Sequence, residues 1–143
     1  MTKVSPFLKF NGQCAEAIEL YKNALKAEVT YKSTFAQASK NGGFQLTDES
    51  QKDWIYHAQI KVGRQTLMLC DTNDDKVGNG TKQRKSEVCL CAEFDTPEEV
   101  KAIFDIMSEG ATIIEPFSSA TYSESFVFLE DKFGVRWWLM TAE

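Results

Sequence analysis

The sequence lacks the marks of several protein classes. No run approaches the ~18–20 apolar residues of a membrane-spanning helix, and the opening MTKVSPFLKF has no long apolar stretch of a secretory signal. No Gly-x-Gly-x-x-Gly follows a strand and no Gly-x-x-x-x-Gly-Lys occurs, which excludes the common dinucleotide and P-loop motifs. There is no Cys-x-x-Cys. Basic residues are few: 16 Lys and Arg stand against 21 Asp and Glu, a net charge of −5. An acidic chain is a poor coat for nucleic acid or an anionic membrane, so neither is expected as a partner. Histidine occurs once, as His57.

What is present suits a globular domain. The 143 residues, 43% of them hydrophobic, are enough to bury a core without covalent staples. Four cysteines (Cys14, Cys70, Cys89 and Cys91) are then not needed as bridges. Cys89 and Cys91 lie two apart on a predicted strand, with side chains about 7 Å from one another, too far for an easy disulfide. Free thiols in a reducing cytoplasm are expected.

The chain then spells one pattern twice. Val4 to Phe10 reads as a strand, broken by Asn11-Gly12. Cys14, Ala17, Ile18, Tyr21 and Leu25 share one helix face. Glu28 to Phe35 is a strand, Ala36 to Asp53 a long polar loop, and Ile55 to Val62 and Gln65 to Asp71 a hairpin around Gly63-Arg64. Asp71 to Glu87 reads as a linker. Its Asp71-Thr72-Asn73-Asp74-Asp75-Lys76 start is no calcium loop, because Lys76 and Lys82 stand where glycine and an acid are required. The pattern restarts with a strand from Val88 to Phe94. Thr96-Pro97-Glu98-Glu99 opens a helix with an N-cap, a proline at the first position and a capping-box glutamate. Val100, Ile103, Phe104 and Met107 form its apolar stripe, and Gly110 ends it. Strands follow at Ala111–Phe117, Ser125–Glu130 and Val135–Thr141, with a loop at Ser118–Ser123. Two βαβββ modules are therefore expected, 1–72 and 87–143, in a single α+β domain. One helix shields only one face of each sheet, so the other face must meet something else.

Pro6-Phe7-Leu8-Lys9-Phe10-Asn11-Gly12 followed by Cys14-Ala15-Glu16-Ala17-Ile18-Glu19-Leu20-Tyr21 resembles the PhnB-like branch of the vicinal-oxygen-chelate (glyoxalase/bleomycin-resistance/dioxygenase) superfamily. That branch often carries the label demethylubiquinone methyltransferase-like. His57-Ala58-Gln59-Ile60, Leu67-Met68-Leu69-Cys70-Asp71 and Asp131-Lys132-Phe133-Gly134-Val135-Arg136-Trp137 are similar as well. The resemblance implies two modules forming a cupped mixed sheet, a glyoxalase/bleomycin-resistance-type fold, and a homodimer. Metal-dependent members place His or Glu on the first and fourth strands of each module. By register those positions here are Ser5, Leu67, Cys89 and Trp138, none of them His, Asp or Glu. No metal site and no cofactor are expected. No glycine-rich loop offers a cradle for S-adenosylmethionine, so methyl transfer is not expected either.

The residues leave several readings open. His57 and Gln59 share a strand face, with Tyr56, Ala58 and Ile60 on the other. The histidine is either a polar contact to a ligand or a half-buried structural residue. Cys89 and Cys91 are either reactive thiols or small cavity wall. Trp137 and Trp138 point to opposite faces, one under the helix. The expected function is binding of an unknown small molecule by Phe7, His57, Gln59, Leu67, Leu69, Cys89, Cys91, Phe128 and Trp138, with Ala36–Asp53 as a lid. No catalytic residue is assigned. The alternative is a metal-dependent lyase, isomerase or dioxygenase with unconventional ligands.

Overall fold

Cys14–Leu25 forms helix α1, and the predicted stripe is its buried side: Cys14, Ala17, Ile18, Tyr21 and Leu25, joined by Ala24. The computed structural model to which it belongs describes residues 2–73, 88–120 and 123–142. The chain divides into two compact units, Met1–Thr81 and Lys82–Glu143. The linker expected at Asp71 to Glu87 lies mostly outside the described residues.

The first unit contains strand β1 (Phe7–Phe10), α1, β2 (Glu28–Thr34), helix α2 (Phe35–Lys40), β3 (Ile55–Val62) and β4 (Gln65–Asp71). Its sheet runs β1-β4-β3-β2, with β1 parallel to β4 and the other pairs antiparallel. β1 starts later than the alternation suggests. Pro6 has no N–H to give a ladder, and only its carbonyl is used, accepting from Met68 N at 2.9 Å.

The second unit contains β5 (Leu90–Phe94), helix α3 (Pro97–Met107), β6 (Thr112–Ala120), β7 (Ser123–Glu130) and β8 (Arg136–Thr141). Its sheet runs β5-β8-β7-β6, again with one parallel pair, β5 with β8. Strand for strand this is the order of the first unit. The α+β architecture of two mixed four-stranded sheets is thus a duplicated βαβββ pattern. Thr96 caps α3 as expected, its hydroxyl accepting from Glu99 N at 3.2 Å. Among the described residues no helix is long and apolar enough to cross a membrane.

Two expected loops are corrected. Ala36–Asp53 is not wholly loop. Thr34 and Gln37 close a capping box, which starts α2 at Phe35, and a 3-10 turn follows at Glu49–Gln51. Ser118–Ser123 is largely strand, because Ser118 pairs with Phe126 and Ala120 with Ser123. Ladder pairing there outweighs the turn-forming bias of the serines.

Two buried carboxylates organise the units. In the first, Asp71 at the end of β4 is 5% exposed. One oxygen accepts from Cys14 N and the other from Ile55 N, both at 2.9 Å. The N-cap residue Gln13 makes no side-chain cap, so Asp71 satisfies the helix start from 57 residues away. In the second unit, Asp131 holds the β7–β8 connection. It accepts from Phe133 N at 2.9 Å, Val135 N at 3.0 Å and Trp137 Nε1 at 3.0 Å. The Asp131–Trp137 segment that carries part of the family resemblance is therefore a folding motif.

Removing a buried acceptor strands its donors at about 1–3 kcal/mol each. Asp131→Ala is expected to lower the unfolding free energy in urea by roughly 3 kcal/mol, and Asp131→Asn by about half that. A loss below about 1 kcal/mol for alanine contradicts the anchoring role. For Asp71 the expectation concerns pH. Burial pushes its carboxyl above the usual range, against a downward pull from the Ile55, Cys14, Gly12 and Gln13 N–H groups. The folded state then holds this proton to higher pH than the unfolded state. Its contribution favours folding at acid pH and declines as pH rises through the raised value. Relative to Asp71→Asn, which cannot titrate, the natural chain is expected to lose stability as pH rises from about 3, the low end of the ordinary carboxyl range, through the raised value. A difference that rises over that range contradicts the assignment.

Candidate functional site

In the first unit α1 packs against β3 and β4, and the register decides which side chains it covers. Ala58 pairs with Leu69 and Ile60 with Leu67. All four are buried, at 4% exposure or less. The face opposite α1 carries the intervening residues: Gln59 pairs with Met68 and Tyr31, Phe7 with Met68, Ser33 with His57, and Lys9 with Cys70. Phe7, His57 and Gln59 thus stand on one face, as expected. Leu67 and Leu69 do not. They lie on the helix side, and Met68 and Cys70 take their places beside His57. The cause is register: a strand shifted by one residue presents the opposite set.

Tyr56 is a second departure from simple alternation. Ser33 pairs with His57 but the next pair is Thr34 with Ile55, so Tyr56 is an extra residue in β3. At this bulge the Ile55 N–H is given to Asp71. The bulge brings Tyr56 round to the same recesses as His57.

Two recesses open on this face. One, of about 330 Å³, lies among Tyr31, Ser33, Asn41, Tyr56 and His57. The other, of about 460 Å³, lies among Phe7, Lys9, Phe35, Phe44, Tyr56 and His57, and reaches Cys70 to Asn73. Tyr56 and His57 belong to both. The segment expected as a lid supplies a wall: Phe44 packs on Phe35 at 4.8 Å and on Tyr56 at 5.4 Å between ring centroids. Tyr56 Oη donates to the Gly43 carbonyl at 3.4 Å. Trp54 packs on Phe35 at 5.8 Å. Its ring also covers Gly12, where a Cβ would come within 2.8 Å and where φ is +87°. The Asn11-Gly12 step of the resemblance is therefore a packing requirement.

His57 is held by rings and by one amide. Phe7 meets it edge-on at 5.7 Å, Tyr31 lies at 5.9 Å, and Gln59 Nε2 is 3.3 Å from its Nε2. Such a pair is suited to orienting a polar group of a ligand. Both first-unit thiols are quiet. Burial drives the Cys14 thiol far above its ordinary range. Burial also raises Cys70, with Lys9 pulling down and Asp71 adding to the rise. All four cysteines are free.

The second unit presents a different open face. Trp138 pairs with Cys91 and Phe128. It stacks on Phe126 at 4.7 Å with 10° between planes, and meets Phe128 at 5.6 Å. Trp137 is the tryptophan under the helix, 3% exposed. Cys89 precedes β5 rather than lying on it, and is exposed. Burial raises the Cys91 thiol, and Glu93 and Cys89 raise it further. Neither its surroundings nor its acidity make it a nucleophile.

In each unit, the positions where the resemblance would place metal ligands carry none of the usual imidazole or carboxylate donors for a divalent ion. Phe7 pairs with Met68 as Cys91 pairs with Trp138, so the fourth-strand position of the first unit is Met68, not Leu67. A hydroxyl (Ser5), a thioether, a thiol (Cys89) and an indole replace the usual imidazoles and carboxylates. Ser5 Oγ is buried without a partner among the described residues. No group of three His, Cys, Asp or Glu stands together among them.

Comparison with known proteins agrees with this architecture. The family model of 3-demethylubiquinone-9 3-methyltransferase matches residues 2–140. Protein YjdN of Escherichia coli (strain K12) is 29% identical, over 94% of this chain and 91% of its own. A structure described as a putative 3-demethylubiquinone-9 3-methyltransferase, PhnB protein, from Bacillus cereus superposes with a TM-score of 0.78 at 24% identity, covering 99% of this chain and 100% of its own. The fosfomycin resistance protein FosX of Listeria monocytogenes shares the fold at a TM-score of 0.65 and 10% identity, covering 100% of this chain and 94% of its own. The chain belongs to the 3-demethylubiquinone-9 3-methyltransferase (PhnB-like) family, on a glyoxalase/bleomycin-resistance-type fold.

Proposed function

We propose that this chain is a small-molecule binding protein that works without a metal ion. The observation that carries the reading is the shared wall of Tyr56 and His57 between two recesses on the sheet face opposite α1, with α2 at their edge. Phe7 and Phe44 offer apolar area beside it, and Gln59 holds the imidazole. Phe7, His57 and Gln59 are the ligand contacts in this reading, with Tyr56 and Met68 added and Leu67 and Leu69 removed. Cys91, Phe128 and Trp138 form a second apolar face in the other unit, and Cys89 has no part. The donor chemistry at the superfamily's metal positions supports the metal-free reading. The chain acts as a homodimer in the cytoplasm. The exposed Ile113 and Ile114 on edge strand β6 support the first point, and four free thiols support the second.

The test is a thermal-shift and calorimetric screen with 2-naphthol, 2-naphthamide, 2-naphthoate and fosfomycin, the last because a fold relative is named for resistance to it. A ligand at about 100-fold over its Kd is expected to raise Tm by roughly 5 °C or more. His57→Ala is expected to weaken that ligand about tenfold. A screen with no response contradicts the reading. So does near-stoichiometric metal in protein purified without added metal, if His57→Ala loses it. Light scattering at twice the chain mass is expected, and a monomer at micromolar concentration contradicts the dimer.

A further inference from the structure

The larger recess has an electrical asymmetry. Its walls at Phe7, Phe35, Phe44 and Tyr56 are aromatic. The ionisable groups at its edge are Lys9, His57, Cys70 and Asp71. Both Asp71 oxygens are already engaged, by the Cys14 and Ile55 amides. Burial keeps the Cys70 thiol protonated. Lys9 is different. Its ammonium sits 5.6 Å from the centre of the Phe7 ring, and the side chain is exposed. Among the described residues no carboxylate forms an ion pair with it. A cation poised over an aromatic wall, beside an apolar hollow, matches one kind of guest: a flat ring carrying a negative group on its rim.

We infer that the larger recess takes a flat, apolar carboxylic acid, its ring against Phe7 and Phe44 and its carboxylate at the Lys9 ammonium. This specificity rests on the binding reading above and adds the charge of the ligand to it. The amide of the same acid fills the same hollow and loses only the ionic contact. A partly exposed ion pair of this kind is modest in strength and sensitive to salt.

The test compares 2-naphthoate with 2-naphthamide by calorimetry at low salt. The natural chain is expected to bind the acid about fivefold more tightly than the amide. Lys9→Gln is expected to abolish that preference, and about 0.5 M NaCl to shrink it. Lys22→Gln, on the wet side of α1, is expected to keep it. If the amide binds as well as the acid, or if Lys9→Gln retains the preference, the charge assignment is overturned while the binding reading stands. If neither compound binds, the charge assignment is overturned, and the binding reading falls with it when 2-naphthol and fosfomycin give no response either.

Discussion

The Asp71 carboxylate is the contact on which the first unit's site depends. It lies at the end of β4, caps the first turn of α1 with one oxygen and takes the Ile55 N–H with the other. Three segments distant in the chain are drawn to one point. The second of these bonds holds β3 from its β4 side, opposite the Trp54 carbonyl that accepts from Phe35 N, just where the β2–β3 register slips. The slip turns Tyr56 toward the recesses that His57 already lines. A buried carboxyl is expensive to desolvate, and only several amide donors make it tolerable. The site therefore sits next to a place where the fold has little freedom to rearrange.

The two faces of each sheet have different chemistry. The covered faces are closed and largely aliphatic: Ala58, Ile60, Leu67 and Leu69 in the first unit, and Val127, Leu129 and Leu139 with Trp137 in the second. The open faces are aromatic and partly polar, with Phe7, Tyr31 and Tyr56 at 39% exposure or more in the first unit. Aromatic rings with polar neighbours suit transient burial by a ligand better than permanent burial in a core. Burial raises the Cys14 and Cys70 thiols, and partial burial with Glu93 and Cys89 nearby raises Cys91, so none of the three is activated as a thiolate.

Some of this was legible in the residues and some was not, for identifiable reasons. The α1 and α3 stripes were readable because a helix repeats its buried side every three or four residues. The duplication was readable because both copies keep one order of elements. Helix α2 was missed although Thr34 and Gln37 carry a capping-box spacing, because the polar residues around it resemble a loop. The face of β4 was not readable. Leu67, Met68, Leu69 and Cys70 are all apolar, so alternation vanishes and parity rests on the partner strand. The turn of Tyr56 toward His57 was not readable either, since a bulge leaves no mark in a strand's composition.

The sequence by itself determined strands β1 to β8, helices α1 and α3, their duplication, the single histidine and the lack of imidazole and carboxylate side chains at Ser5, Cys89 and Trp138. These follow from local periodicity and residue identity, which act over a few neighbours. Only the tertiary structure decided which face of β4 meets α1, that Tyr56 joins His57, and that Asp71 is taken up by amides while Lys9 stays at the edge of the recess. Each of these is set by hydrogen bonds and pairings between residues far apart in the chain. No local pattern encodes them, because the partner that fixes each one arrives only when the chain has folded.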